Sequence, residues 1–304
     1  MKTKTKFKAF SSKILLLGEH IINKGATGLA MPISLYDGQF AFEKLDESKD
    51  KSSNDSLLAL AHYILSKPIL EKSLDINAFL EDIENGLVFH SDIPQGFGLG
   101  SSGALVAAVF DAYAFPKTKK LDISIIKNLL GEIESCFHGK SSGLDPIVSY
   151  LNCPITIKEH ITEKISLKEK DKKFLDVYLI NTGIARKTNI WVNKFMEQSS
   201  ESNFEYVLSN SYIPANEICI ESFINLKYDH FWKSLKIISQ TQIEHLIEFI
   251  PISFHKHWRS GIQNNEFYLK ICGAGGGGFV LCFAKKGIML PDFLDQKKQL
   301  ILSF

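Results

Sequence analysis

The segment that most restricts how this chain can fold is Pro94-Gln95-Gly96-Phe97-Gly98-Leu99-Gly100-Ser101-Ser102-Gly103, which sets alternate glycines between two stretches of different periodicity. Residues 87–93 read as a strand, and residues 101–115 carry the small and apolar side chains of a buried helix that Pro116 ends. A strand, a glycine turn and a helix start suit a phosphate. Glycines let the backbone approach a ligand closely, and the unpaired amides of a first helical turn favour an anion. Ser101 and Ser102 can cap the helix or offer hydroxyls to a metal or a phosphate. A tight turn with a serine cap is the plainer reading, and the grouping of three alternate glycines with two serines weighs against it.

Two other phosphate motifs compete for the segment. Gly98, Gly100 and Gly103 satisfy the dinucleotide pattern G-x-G-x-x-G, and Asp122 stands near the distance expected of a ribose contact. However, residues 113–121 contain Pro116 and four Lys or Thr, so no second apolar strand leads to Asp122. A Walker loop is ruled out because Ala104 and Leu105 stand where Lys and Ser or Thr are required.

A second cluster runs from Glu134 through His138 to Asp145. Glu134 and His138 are four apart on one helical face, and Asp145 follows after a turn. Gly139, Ser141 and Gly143 match the G-x-S-x-G elbow of esterases, which needs a strand before it; residues 125–137 read as a helix instead. Taken singly, Glu134 reads as a solvated position and Asp145 as a helix cap before Pro146. A third cluster, residues 270–278, lies between two expected strands at 267–272 and 279–284 and holds five glycines in six positions. A hairpin needs only two turn residues. The excess points to close approach to a ligand or to another backbone, with a flexible loop as the alternative. A fourth feature is Lys13, expected at the start of a strand over 13–17 that runs into Gly18-Glu19-His20.

The rest of the chain sets the frame. With 304 residues, 45% of them apolar and 23% charged, it has the balance of a globular protein of two lobes. Its 35 basic and 34 acidic residues nearly cancel, which removes the global field that would draw it to nucleic acid or an anionic membrane. The lysine-bearing amino terminus precedes an apolar stretch too short for a signal peptide, and no run is long enough to span a bilayer. Five cysteines without C-x-x-C spacing suggest neither a disulfide framework nor a zinc cage, so a reduced cytoplasm is expected. Further strands are expected at 39–45, 87–93 and 174–180, a surface loop at 46–54, and helices at 56–67, 76–85 and 121–138. A largely helical stretch is expected at 189–263, with breaks near Pro214, Tyr228 and Pro251.

Taken together and in this order, the four segments resemble the GHMP kinase superfamily over essentially the whole chain, and within it the mevalonate kinase branch. Residues 13–30 resemble that family's first motif, residues 98–102 its phosphate loop and residues 272–278 its glycine-rich third motif. The resemblance implies an α+β, two-lobed fold. It comprises an amino-terminal ATP-binding domain over 1–155 like the second domain of ribosomal protein S5, a ferredoxin-like carboxy-terminal domain over 156–304, and a site between them. It further implies that Gly96, Gly98, Leu99, Gly100, Ser101 and Ser102 wrap the ATP phosphates and that Ser102 and Glu134 hold Mg2+. Asp145 would then receive the substrate hydroxyl proton while Lys13 steadies charge near that oxygen. Glu19, His20, Thr182 and Thr188 would approach the substrate, and Gly273, Ala274, Gly275 and Gly276 would lie against the phosphate loop. Such chemistry is sensible in itself, since phosphoryl transfer depends on aligning a hydroxyl with the γ-phosphate and balancing negative charge.

Three positions depart from the branch's usual pattern: Gly103 replaces a small Ala or Ser, Thr27 a common proline and Asn181 a common aspartate. The implied reaction is phosphorylation of mevalonate on its primary hydroxyl for isoprenoid precursor synthesis. Phosphomevalonate is the runner-up substrate, since Arg186 and Lys187 can serve an extra phosphate. The implied partner is a small molecule, with no nucleic acid or membrane, and a homodimer is allowed without being specified. A noncatalytic nucleotide-binding regulatory module is the alternative from another class, opposed by retention of Lys13, Glu134 and Asp145.

Overall fold

The computed structural model describes residues 7–43, 51–159, 161–167, 174–185 and 188–303. The chain divides into two compact units. The first comprises Met1–Lys13, Pro32–Pro94 and Leu99–Cys153, the second Ile14–Met31, Gln95–Gly98 and Pro154–Phe304. Strands β1 (Phe10–Leu17) and β2 (Gly28–Phe42) are neighbours and contribute residues to both.

In the first unit the later part of β2 pairs antiparallel with β3 (Leu87–Ser91), Gly38 opposite Ser91 and Phe42 opposite Leu87. Gly38 sits mid-strand because a Cβ there would fall 2.4 Å from the Phe89 ring. Six helices complete the unit: α1 (Lys51–Leu65), α2 (Pro68–Glu71), α3 (Ile76–Glu84), α4 (Ser101–Tyr113), α5 (Ile123–His138) and α6 (Leu144–Leu151). The Asp75 carboxylate caps α3 by accepting from the Ala78 amide. Helix α4 is central, burying Ala104, Val106, Ala107, Val109 and Phe110. Small side chains let neighbours come close, and α6 does so at Gly103, where a Cβ would lie 2.9 Å from the Cβ of Asp145. Phe79 packs on Tyr113 with ring centroids 4.7 Å apart, and Phe40 closes the cluster.

In the second unit the first residues of β2 pair with β4 (Ile155–Lys158), which pairs with β5 (Ile161–Lys164). A separate four-stranded antiparallel sheet has the order β7 (Phe267–Ile271), β8 (Phe279–Lys285), β6 (Leu175–Asn181), β9 (Lys298–Ser303). Every residue of β7 is buried, as expected of a strand covered on both faces. The helices are α7 (Thr188–Gln198), α8 (Ser202–Val207), α9 (Ile213–Ile224), α10 (Tyr228–His245), α11 (Ile252–Asn264) and α12 (Asp292–Asp295), with α10 and α11 packed on β7. Fully buried Trp258 fixes α11 to α10 by donating from Nε1 to the Ser239 carbonyl at 2.9 Å. No helix among the described residues is long and apolar enough to cross a membrane.

The α+β class and most expected elements are present, with instructive differences. β1 starts at Phe10, so Lys13 lies inside the strand and not at its solvated start. β2 begins eleven residues before the expected strand at 39, because Gly28, Pro32 and Gly38 read as breakers although the ladder accommodates all three. Its far end is Phe42, and residues 44–45 lie outside the described ones. Of the expected loop at 46–54, residues 46–50 lie outside the described ones and residues 51–54 open α1. Pro214 causes no break: a π-helical turn, Leu208–Tyr212, leads into α9, and Pro214 sits in the first turn of α9, where a proline is tolerated. The breaks near Tyr228 and Pro251 do occur. Strands β4 and β5, four residues each, are too short to stand out in the sequence, and β9 is not among the expected strands either.

Candidate active site

The amino end of α4 organises the site in the first unit. Gly100, its N-cap, has φ 79°, a left-handed conformation that favours glycine. A Cβ there would also meet the Lys13 side chain at 2.9 Å. Lys13 is held by its own backbone, its amide donating to the Leu99 carbonyl at 3.0 Å, and its Nζ lies 2.8 Å from Asp145 Oδ1. Asp145 is in the first turn of α6 but does not cap it; the N-cap is Gly143, with no side-chain cap bond. The capping role considered for Asp145 is thus not what its carboxylate does.

Glu134 lies beside this pair and is no solvated helix position, being 4% exposed. Ser102 Oγ donates to its Oε1 at 2.9 Å and Ser141 Oγ to its Oε2. Burial first, and then the charge of Asp145, push the Glu134 carboxyl up to about 7, against the pull of the two hydroxyls and Lys13. The arrangement therefore holds two carboxylates in mutual repulsion beside one lysine, next to a helix start. Added positive charge would relieve it. Ser102 Oγ also lies 3.0 Å from His138 Nε2. His138 and Ser141 are absent from the expected site; the four-residue spacing from Glu134 pointed to the first, whereas the second was visible only as part of a misleading esterase pattern. The helix before that pattern, α5, ends at the Gly139 C-cap, so the elbow geometry is missing. No strand leads to Asp122 either, since Thr118–Lys120 is a 3-10 turn.

Among the described residues no three His, Cys, Asp or Glu side chains are placed to cage a metal. Ser102 and Glu134 still fit Mg2+, which takes oxygen ligands and commonly uses one or two carboxylates plus substrate phosphates.

The second unit gathers the other expected residues. Gly96 and Gly98 have φ 77° and 82°, and Phe97 between them packs on Phe279, the residue after the third glycine cluster, at 5.5 Å. Gly18 has φ 101° and admits no Cβ, which would fall 2.7 Å from Gly28 Cα. His20 adopts φ 63°, stacks on Phe195 at 4.6 Å, and its Nε2 lies 3.1 Å from the Ala274 carbonyl oxygen. Glu19 points inward instead, 2% exposed and ion-paired with fully buried Lys270. Lys270 Nζ also donates to the Ile271 carbonyl, and Gln242 Oε1 accepts from the Ile271 amide. Neither Lys270 nor Gln242 was singled out by sequence.

The glycine cluster is packed and not a loose loop. A Cβ on Gly275 would meet Phe249 at 2.9 Å, one on Gly276 the Trp191 ring at 1.9 Å, and one on Gly277 the Ile184 carbonyl at 2.5 Å. Gly273 has φ 65°, and the Gly276 amide donates to the Phe249 carbonyl. Thr182 Oγ1 donates to the Gly278 carbonyl at 2.7 Å. Thr188 opens α7 and is exposed, and Ser101 is half-buried at the first position of α4, neither joined to the other site residues by a side-chain bond. Arg186 and Lys187 lie outside the described residues.

Comparison with known proteins shows what the chain is similar to. Residues 61–152 match the family described as GHMP kinases N terminal domain. The chain is 25% identical over 297 residues to the mevalonate kinase of Pyrococcus horikoshii, covering 90% of this chain and 87% of that protein. It is 24% identical over 236 residues to the mevalonate kinase of Dictyostelium discoideum, covering 68% of this chain and 60% of that protein. Its fold matches that of L. major mevalonate kinase in complex with R-mevalonate, with TM-score 0.64, 15% identity, and 98% and 94% of the two chains covered. The Streptococcus pneumoniae phosphomevalonate kinase in complex with phosphomevalonate and AMPPNP matches with TM-score 0.66, 13% identity, and 99% of each chain covered. Residues 61–152 are thus similar to the GHMP kinases N terminal domain, and the chain shares its fold with mevalonate kinase and phosphomevalonate kinase. Mevalonate kinases are among the relatives that its sequence matches over most of its length.

Proposed function

We propose that this chain is a mevalonate kinase, transferring the γ-phosphoryl group of ATP to the primary hydroxyl of mevalonate to give 5-phosphomevalonate and ADP. The observation that carries this reading is the convergence of Lys13, Ser102, Glu134 and Asp145 at the amino end of α4.

In this reading residues 1–155 form the nucleotide-binding domain and 156–304 the carboxy-terminal domain. The free amides of Gly100 to Ser102 and the helix dipole attract the triphosphate. Ser102 and Glu134 hold Mg2+, which supplies neutralising charge to the phosphate oxygens. The substrate oxygen forms the new bond to the γ-phosphorus as the bond to the β-phosphate bridging oxygen breaks, and Asp145 accepts the hydroxyl proton. Lys13 orients Asp145 through their ion pair and offsets charge on the attacking oxygen. On the substrate side, His20, Thr182 and Thr188 approach mevalonate, while buried Glu19 serves by fixing the turn that carries His20. The reaction is assigned to the cytoplasm.

A substrate panel tests the assignment. Mevalonate, phosphomevalonate, galactose and homoserine are each offered with Mg-ATP while ADP release is followed. Mevalonate is expected to give by far the highest kcat/KM. A clear win for phosphomevalonate would replace the substrate, and no turnover with any of the four would favour a binding module.

A further inference from the structure

The second unit contains a cavity of about 690 Å³ at the end of its four-stranded sheet formed by the start of β6 and the end of β8. That size falls within the usual range for small-molecule sites. It lies away from the glycine cluster, which joins the opposite ends of β7 and β8; a strand of five to seven residues separates the two ends by roughly 20 Å.

The lining combines rings with cations. Trp232 is half-buried against Tyr268, ring centroids 4.3 Å apart, and Phe174 is 47% exposed. Asn265, in a left-handed conformation with φ 58°, accepts through Oδ1 from both Trp232 Nε1 and the Tyr268 hydroxyl, so the indole is fixed before any ligand arrives. Lys285 Nζ stands 5.3 Å from the Trp232 ring centroid. Lys233 and Lys236 lie one and four residues beyond Trp232 along α10 on the same lining. Lys233, Lys236 and Lys285 have no ion-pair partner among the described residues, whereas Lys286 is taken up by Asp176 at 2.9 Å. Asp229 is the single acid among the described lining residues.

Held rings and uncompensated ammonium groups in one cavity are the complement of a molecule that is apolar at one end and anionic at the other. We propose that this cavity is a second ligand site, which takes a small anionic amphiphile: an apolar body seated on Trp232 and Phe174, with a terminal anionic group between Lys233, Lys236 and Lys285. The site involves none of the residues assigned to phosphoryl transfer, so it stands or falls independently of that reading.

The test uses the full chain and n-octyl phosphate below its micelle concentration, with inorganic phosphate and octyltrimethylammonium as controls. Calorimetry should show one site per chain, with octyl phosphate at least tenfold tighter than either control and undisturbed by saturating Mg-ADP. Trp232 should report binding by fluorescence, and Trp232→Phe should lose most of that signal. The double variant Lys233→Glu, Lys236→Glu changes two side chains of the helix surface, so its melting temperature should hold while affinity falls at least tenfold. Equal binding of the cationic amphiphile, displacement by Mg-ADP, or unchanged affinity in the folded double variant would each overturn the proposal.

Discussion

Lys13 Nζ sits 2.8 Å from Asp145 Oδ1, joining the middle of β1 to the first turn of α6 in a pair whose lysine side chain is only 9% exposed. Nothing in the helix requires Asp145 there, since Gly143 occupies the cap. Asp145→Asn keeps the shape and removes the proposed base. Turnover is expected to fall by roughly two to four orders of magnitude while ATP affinity stays within a few fold. Lys13→Met should lower turnover as well. Melting temperature, ATP affinity and turnover measured on one Asp145→Asn sample decide the matter: a folded variant with near-normal turnover removes Asp145 from the chemistry.

Glu134 should behave differently, because in the proposed reading its charge serves the metal and not the proton. Its carboxyl is pushed up to about 7 by burial and by Asp145, so without a cation it is largely protonated in mildly acidic solution. Glu134→Gln is expected to weaken Mg-ATP binding, with excess magnesium partly restoring the rate, since a hard cation prefers charged oxygen. A magnesium titration of the rate checks this. Equal loss at all magnesium concentrations would argue for a different role.

What could be read in the sequence and what could not follow from how locally each feature is encoded. Gly100, Ser102, Glu134 and Asp145 belong to short motifs whose residue types already suggest anion and metal chemistry, and the structure gathers them with Lys13. Lys270 was invisible because a lysine in an apolar run normally marks a solvated strand end; its burial depends on Glu19, some 250 residues earlier in the chain. The first half of β2 was hidden for a related reason. Gly28 and Gly38 look like turn residues, yet a Cβ on Gly28 would lie 2.7 Å from Ile22 and one on Gly38 would strike Phe89, so both glycines answer to packing partners that local pattern does not reveal.

Thr27 illustrates how a departure from the usual family residue can be compensated within the chain. Its amide and its hydroxyl each donate to the Glu217 carboxylate at 2.6 Å, and Asn216 Nδ2 donates to its carbonyl at 2.8 Å. A proline could supply neither donor. Burial would raise the Glu217 carboxyl, but the Thr27 hydroxyl and amide, with Lys158, hold it below its usual value. A depressed folded-state value means that the stabilisation is present above the ordinary glutamate range and is lost as pH falls through the folded value. Thr27→Pro should therefore cost about 1–3 kcal/mol near neutral pH, and the gap to the parent should narrow steadily once pH drops below about 4. Urea unfolding of both proteins at several pH values checks the sign; a gap that widens in acid would contradict it.

The buried pair of Glu19 and Lys270 yields a prediction in which stability and function separate. Both side chains are out of water, so removing one partner leaves the other charged or forces it to neutralise in an apolar surrounding. Lys270→Met should destabilise the protein by about 3–5 kcal/mol, the scale for breaking such a pair from one side. Glu19→Leu combined with Lys270→Met replaces both charges with apolar groups, and most of the lost stability should return. Function should not return with it. Glu19 precedes His20, which holds a left-handed backbone conformation and meets the Ala274 carbonyl, while Lys270 and Gln242 tie down Ile271 just before the glycine cluster. Without the pair, the turn and the cluster lose their common anchor. The double variant is therefore expected to show near-parental unfolding in urea, a KM for mevalonate raised at least tenfold, and a smaller change in ATP affinity. If the double variant proves as unstable as Lys270→Met alone, the pair is not the source of the loss. If it is stable and kinetically normal, the anchoring role of Glu19 is wrong.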